Sequence, residues 1–206
     1  MKVLLINGSP RQKGCTYTAL CEVASTLEKN GVETELFHIG IAPLRGCIAC
    51  AVCRELDKCV YDDDICNELI AKMLEADGIV IGSPVYFSAP NGALCALLDR
   101  VFYSSMNKFI HKPAACVLSC RRGGASAAFD RLNKYFTISQ MPIVSSQYWN
   151  AVHGSKPDDV RCDLEGLQIM RTLGNNMAWL LKSIKEGSPP PQPETPRQRT
   201  CFHDGK

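Results

Sequence analysis

A strand-to-loop-to-helix passage near the start of the chain, Val3-Leu-Leu-Ile-Asn-Gly-Ser-Pro-Arg-Gln-Lys-Gly-Cys-Thr-Tyr-Thr18, gathers the groups that hold an anion. Ser9, Thr16 and Thr18 bring hydroxyls, Arg11 brings a fork of charged donors, and the turn brings backbone N–H groups. A helix starting near Thr16 adds the positive end of its dipole, with Cys15 and Tyr17 on the same first turn. The bland alternative is an empty strand–helix turn that uses glycine for geometry. The loop lacks the Gly-Lys-Ser/Thr ending of a nucleotide phosphate loop and lacks G-x-G-x-x-G. The phosphate of FMN is therefore the preferred ligand over ATP or a dinucleotide.

A second group is the run Cys47, Cys50, Cys53 and Cys59, spaced C-x2-C-x2-C-x5-C. Thiolates at intervals of three can wrap one face of a cuboidal cluster, and a fourth closes it. The bacterial ferredoxin run shares the spacing of the first three cysteines but places the fourth after three residues, before a proline. Here five residues intervene and Val60 follows. Spacing and ligand softness favour a 4Fe–4S cluster. Free thiols packing a loop remain open, as do a disulfide and zinc, which more often takes two separated cysteine pairs.

Three further stretches could frame a ring. In Ser83–Asn91, Pro84 and Pro90 stiffen a loop in which Val85, Tyr86 and Phe87 could pack along an isoalloxazine and Asn91 could meet its polar edge. In Ser119-Cys-Arg-Arg-Gly-Gly124, Ser119 and Arg121 could line a second wall, with Gly123 and Gly124 allowing close backbone approach. Either arginine could stabilise an anionic flavin or meet an NADPH phosphate. Gln147-Tyr-Trp-Asn150 offers an aromatic pair as core cover or pocket wall, and Tyr148 and Trp149 could face a partner subunit's flavin. Solvated turns and ordinary aromatic burial are the plain alternatives. Cys21, Cys66, Cys95, Cys116, Cys162 and Cys201 read as core or surface thiols. The four histidines, His38 at a strand end among them, are scattered without metal spacing.

The elements that must position these residues follow from periodicity. Apolar runs predict strands at 2–7, 33–39, 78–82, 114–119 and 141–145. Helical spacing predicts helices at 16–29, 65–76, 92–103, 125–138 and 164–185. Five strands alternating with helices make an α/β three-layer sandwich, and a phosphate loop after the first strand suggests a parallel sheet in flavodoxin-like order 2-1-3-4-5. Residues 1–186 are expected to form this domain, with a cysteine-rich loop at 40–64. The tail at 187–206 holds Pro189, Pro190, Pro191, Pro193 and Pro196, and is expected to be extended, lying against a neighbouring subunit.

Composition bounds the rest. The 206 residues are 46% hydrophobic and 21% charged, with a net charge of +2. That balance, without a Lys/Arg run, argues against nucleic-acid binding. No apolar run approaches the ~20 residues of a membrane helix. The chain passes from Met-Lys straight into a strand, and a cytoplasmic protein is expected. Twelve cysteines, four of them clustered, fit metal or redox chemistry in a reducing compartment.

Together these motifs resemble the NADPH-dependent FMN reductase family and, within it, the iron–sulfur flavoproteins. The pieces that carry the likeness are Asn7-Gly-Ser-Pro-Arg11 with Gly14 and Thr16, the cysteine run ending in Asp62-Asp63-Asp64, Gly82–Phe87 with Leu98-Asp-Arg100, and Arg121–Gly124. The resemblance spans residues 1–185. It implies a flavodoxin-like fold, bound FMN, a 4Fe–4S cluster on the cysteine run, and a homodimer or homotetramer. It differs at Cys15, where the family often has Asn. The expected activity is FMN-dependent transfer of electrons from NAD(P)H, or a ferredoxin-like donor, to a quinone, flavin, nitro or azo acceptor. No general acid or base is nominated. The alternatives are an iron–sulfur/flavin electron carrier between protein partners and a flavin-based redox sensor.

Overall fold

The computed structural model describes residues 1–192. The remainder of the expected extended tail, with Pro193, Pro196 and Cys201, lies outside the described residues. Strands β1 (Lys2–Asn7), β2 (Glu33–His38) and β3 (Gly78–Tyr86), with β5 (Ala114–Cys120) and β6 (Ala151–His153), form a parallel sheet in the order β2-β1-β3-β5-β6. The two-residue strand β4 (Ala89–Pro90) turns back antiparallel on β3. Leaving that hairpin aside, the order is the one the sequence predicts.

The alternation of side chains along each strand sorts the core into two layers. Val3, Leu5, Val80 and Val117 face helices α1 (Cys15–Lys29) and α7 (Leu164–Glu186). Leu4, Ile6, Ile79, Ile81 and Leu118 face α3 (Cys66–Glu75), α4 (Gly92–Ser105) and α5 (Ala125–Ile138). Central strands buried on both faces need continuous apolar runs, and β1, β3 and β5 carry them. Two short helices not expected from the sequence, α2 (Cys53–Leu56) and α6 (Pro157–Cys162), lie in connections.

Two elements differ from expectation. The predicted strand at 141–145 makes only an isolated bridge, Ile143 to Ala114, and the ladder resumes at Ala151–His153. Between these points Ser146 Oγ engages the Tyr148 carbonyl at 2.6 Å and Asn150 Oδ1 at 2.7 Å, closing a local turn. The Leu118 N–H then donates to the Asn150 carbonyl at 2.9 Å and recovers the register. The aromatic pair Tyr148–Trp149 thus sits inside an interruption of the fifth strand rather than after it. The second difference is the stretch 83–91. Instead of a loop it is the end of β3, a tight turn and β4. Phe87 and Ser88 at the turn have φ of 51° and 61°, the left-handed pair that a two-residue hairpin requires.

The loop after β1 is fixed by close backbone approach. The Gly8 N–H donates to the Gly82 carbonyl at 2.8 Å. A Cβ on Gly8 would lie 2.5 Å from Leu94 Cδ2 and 2.7 Å from that carbonyl. Gly8→Ala is expected to destabilise the fold by about 1–3 kcal/mol through overpacking. Urea unfolding checks this, with a lowered midpoint as the expected result.

Candidate functional site at the carboxyl edge of the sheet

Three loops that leave the carboxyl ends of β1, β3 and β5 meet the turn after β6 around a cleft of about 160 Å³. Ser9, Arg11, Cys15 and Thr16 form its floor. Pro84, Val85 and Tyr86 form one wall; Ser119, Cys120 and Arg121 form the other. Gly154 and Ser155 close the end, and no carboxylate lines the cleft. Two exposed arginines therefore line it, and the Asp159 carboxylate lies behind the lining, near enough to act on Cys15 and accepting from the Ser155 N–H at 2.9 Å.

Each floor residue is held by its neighbours. Asn7 Oδ1 accepts from the Ser9 N–H at 3.1 Å, and Ser9 Oγ accepts from the Arg11 N–H at 3.1 Å. These are local side-chain-to-backbone turns of the kind Asn and Ser favour. Thr16 Oγ1 and Ser119 Oγ lie 2.8 Å apart and are buried. One hydroxyl of the pair donates to the other, which leaves one proton to point elsewhere. Helix α1 begins at Gly14 without a side-chain cap. Its first N–H groups are thus open to an anion at the cleft floor.

Cys15 takes a part the sequence does not reveal. Its S–H donates to the Gly154 carbonyl at 3.7 Å and so ties the first loop to the turn after β6. Burial pushes its pKa up, against a smaller opposing contribution from its own backbone N–H, so the group is a neutral thiol at neutral pH.

Other predicted residues lie elsewhere. Thr18 Oγ1 donates to the Gly14 carbonyl at 3.2 Å, within the helix start. Tyr17 is on the same turn but outside the cleft lining. Asn91 is buried with both ends of its amide engaged: Nδ2 donates to the Gly8 carbonyl at 2.7 Å and Oδ1 accepts from the Ala93 N–H at 3.1 Å. It braces the first loop and caps α4, and does not present an edge to the cleft. Phe87 is fully solvent-exposed at the hairpin tip. Gly123 and Gly124 line an adjoining cavity of about 520 Å³ with Arg122, Tyr148 and Trp149. Gly124 has φ of 88°, and a Cβ there would meet Ser88 at 2.8 Å, so the β3–β4 hairpin packs on this loop.

The cysteine run lies beyond β2. Cys47, Cys50, Cys53 and Cys59 all border one small pocket, with Tyr61 and Arg100. Ala49 and Ala51 have φ of 54° and 61°. Such left-handed alanines are costly, of the order of 1–3 kcal/mol each, and persist only where the surroundings hold them. Cys47 and Cys50 are exposed, Cys53 is intermediate and Cys59 is buried. Burial raises the Cys53 pKa, its own N–H opposes, and the neighbouring thiols of Cys50, Cys47 and Cys59 push the same way as burial. Among the described residues no three His, Cys, Asp or Glu groups are arranged to hold a single metal ion. All eleven described cysteines are free, so the disulfide alternative has no pair in the structure.

Sequence reasoning gave no role to the residues that hold this loop, although Asp64 and Arg100 stand in stretches that carry the family likeness. Arg100 is 2% exposed, on the apolar face of α4 between Leu97 and Val101. It forms a two-point ion pair with Asp64. Burial would raise the Asp64 pKa, but the Arg100 guanidinium and the Cys66 N–H outweigh it and hold the carboxyl below its usual range. Cys66, fully buried beside Cys59, is pushed up to about 12 by burial, with the Arg100 charge opposing. His38, at the end of β2, brings Nε2 to 2.7 Å from the Ser9 carbonyl and so links the cysteine loop's root to the cleft floor. The available signal was a charge at apolar-face spacing on α4, which demands a buried partner.

Residues 1–156 match the family model described as NADPH-dependent FMN reductase. An iron–sulfur flavoprotein of Methanocaldococcus jannaschii is 35% identical over 90% of this chain and 100% of its own length. An NADPH azoreductase of a Bacillus species is 32% identical over 74% of this chain and 73% of its own. Among solved structures, RosB superposes with a TM-score of 0.71 at 16% identity, over 90% of this chain and 81% of that one. A flavodoxin, WrbA-like protein from Agrobacterium tumefaciens gives 0.61 at 16%, over 88% and 97%. At that identity the structural likeness speaks for the fold alone.

The buried hydroxyl pair gives a direct test of how the floor is joined to the β5 wall. Thr16→Val strands the Ser119 hydroxyl and is expected to cost about 1–3 kcal/mol. Combining it with Ser119→Ala should recover about 1 kcal/mol of that loss. A double-mutant cycle by urea unfolding measures the coupling, and strict additivity would show that the two hydroxyls do not interact.

Proposed function

The chain belongs to the NADPH-dependent FMN reductase family, with iron–sulfur flavoproteins as its relatives, and from that premise we propose how its own residues carry the chemistry. It is an NAD(P)H-dependent oxidoreductase with FMN as cofactor. When bound, FMN supplies the two-electron step, accepting a hydride from the nicotinamide and passing electrons on.

The observation that carries the residue assignment is the cleft at the start of α1, with two cations, hydroxyls with a free proton, uncapped helix N–H groups and no carboxylate. Such a cleft fits a phosphate monoester. In this reading Ser9, Arg11, Thr16 and the N–H groups of Cys15, Thr16 and Tyr17 hold the FMN phosphate. Thr18 keeps the helix start in place. Pro84, Val85 and Tyr86 lie along one side of the ring. Ser119 and Arg121 lie on the other, where a fixed positive charge favours an anionic ring edge. Gly123 and Gly124 keep the backbone low so that the hairpin, with Phe87 at its tip, can pack beside the ring. Asn91 acts through Gly8 by holding the floor.

The acceptor in this reading is a small planar oxidised molecule such as a quinone, free flavin, nitro or azo compound. Exposed Tyr86, Tyr148 and Trp149 offer flat faces for it at the rims of the two cavities. The Cys47–Cys59 run fits a cluster that brings its own bridging sulfides: the thiols rim one pocket, yet no three close on a single ion. A bound 4Fe–4S group would supply one-electron exchange with a ferredoxin-like donor. Exposed Ile48 and Leu56 on the cysteine loop, and Phe87 at the hairpin tip, suit burial against a second copy in a homodimer or homotetramer.

Anaerobically purified protein should show a flavin spectrum, bleach on titration with NADPH or NADH, and contain iron. Absence of flavin, with none bound on addition, would overturn the reading. Flavin that is not reduced in steady state by either nucleotide would favour an electron carrier. Arg11→Ala is expected to weaken FMN binding by about 1.5–3 kcal/mol, the worth of a charge-assisted hydrogen bond. Fluorescence titration of the apoprotein reads this, and unchanged affinity would show that Arg11 is not a phosphate ligand.

A further inference from the structure

We propose that Arg100 is a positioning residue for the fourth cysteine and sets the reduction potential of the group that the cysteine loop holds; this rests on the cluster reading above. Arg100 is the only buried charged residue among the described core positions. All five of its N–H donors are engaged. The two terminal nitrogens form the ion pair with Asp64, at 3.1 Å for Nη2 to Oδ1. Their remaining protons point at the Arg45 carbonyl at 3.5 Å and the Tyr61 carbonyl at 3.4 Å. The fifth, Nε–H, donates to Cys59 Sγ at 3.3 Å in a buried setting.

This division has a physical reading. An end-on guanidinium–carboxylate pair already clamps Asp64 to α4 and needs nothing from Nε. The side-on donor is aimed at sulfur alone. Cys59 is the buried cysteine of the run, so its hydrogen bond is poorly screened by water. A donor and a positive charge beside a ligand sulfur stabilise the more negative, reduced form and raise the potential. The Asp64 carboxylate opposes the charge of Arg100, so the pair leaves the hydrogen bond with a moderated field. Tyr61, with Arg45 stacked at 4.4 Å over its ring and Arg100 at 5.5 Å, covers the pair.

The two partners therefore have opposite expected effects. Arg100→Gln removes the positive charge and the Nε–H donor and leaves Asp64 bare, so the potential should fall. Asp64→Asn leaves the Nε–H bond and an uncompensated charge, so the potential should rise. A residue that only clamps the loop would lose iron in both variants and leave the potential of retained cluster unmoved.

The test is an anaerobic redox titration of the intact protein followed by electron paramagnetic resonance, with iron and FMN content measured on the same samples. FMN content reports folding at the distant cleft. Each variant is expected to change the reduced-to-oxidised ratio at fixed potential at least tenfold, about 59 mV for a one-electron couple, in opposite directions. Iron retained with an unmoved potential, or shifts of the same sign, would overturn the proposal alone. Wild-type protein without iron after anaerobic purification would overturn the cluster reading and the proposal with it. If Arg100→Gln loses iron, Arg100→Lys keeps the charge without the guanidinium fork and should show a smaller fall. If no Arg100 variant retains iron, Asp64→Asn decides, a raised potential supporting the proposal and an unmoved one overturning it.

Discussion

At Gly8 the backbone of the first loop passes so close to β3 and α4 that no side chain fits. Its N–H reaches the Gly82 carbonyl at 2.8 Å, and Asn91, arriving from the start of α4, holds its carbonyl at 2.7 Å. The rest of the cleft depends on this three-way junction. Because Gly8 is pinned between β1 and β3, the hydroxyl of Ser9 and the start of α1 open toward the same side as the β3 and β5 walls. The point where the sheet order reverses, between β1 and β3, is where an open α/β sheet leaves a crevice at its carboxyl edge. Here that crevice is kept open by hydrogen bonds to backbone carbonyls rather than by bulky packing. Glycine at 8 and the amide at 91 are therefore two halves of one device.

The cysteine loop solves a different problem. It is rich in apolar residues but buries few of them: Cys59 joins the core, with Leu44 and Tyr61 packed against it, while Ile41, Ile48 and Leu56 stay exposed. Its order comes from polar anchoring. Asn67 grips it by accepting from the Cys59 N–H at 2.9 Å and donating to the Cys59 carbonyl at 3.0 Å. Arg100 reaches up from α4 to hold Asp64. Removing one member of a buried ion pair is costly, about 3–5 kcal/mol, because the other charge is left bare. Such a pair contributes a defined position more than net stability. For a run of thiols that must converge on one pocket, position is what matters.

How far the sequence carried the argument differs between these two places. The first loop is local: strand, hydroxyls, arginine and helix start follow one another, so an anion site could be read from residues 3–18. The parallel order followed from alternating elements. The cysteine spacing is also local, and the structure places all four thiols around one pocket. What could not be read is reached across the fold. Arg100 meets Cys59 over a separation of 41 residues, and Asn91 meets Gly8 over 83. Asn91 looked like a ring contact because its loop position is right, but its amide is needed by backbone groups that would otherwise be buried without partners. The fifth strand was misplaced for a related reason. The apolar run 141–145 has the right composition, but the residues that extend the ladder, Ala151 to His153, are too few to show any periodicity. The short β4 hairpin was hidden because Phe87 and Ser88 are poor turn residues by type, although they adopt the left-handed geometry.

The two sites are not independent parts that happen to share a sheet edge. His38 ends β2, and the cysteine loop leaves the sheet only two residues later. Its Nε2 sits 2.7 Å from the Ser9 carbonyl, on the floor of the cleft. The root of one loop is thereby fixed to the floor of the other by a single imidazole. Because a ring nitrogen must donate to a carbonyl, the tautomer with a proton on Nε2 is selected. A shift of the cysteine loop would be felt first at that contact, and through it at Ser9 and the Arg11 N–H that Ser9 Oγ accepts. On the other side, Arg100 and Asn91 lie on or beside the same helix, α4, so that helix anchors the cysteine loop near its middle and the first loop at its start. The cleft and the cysteine pocket are thus held in fixed relation by one helix below and one histidine between.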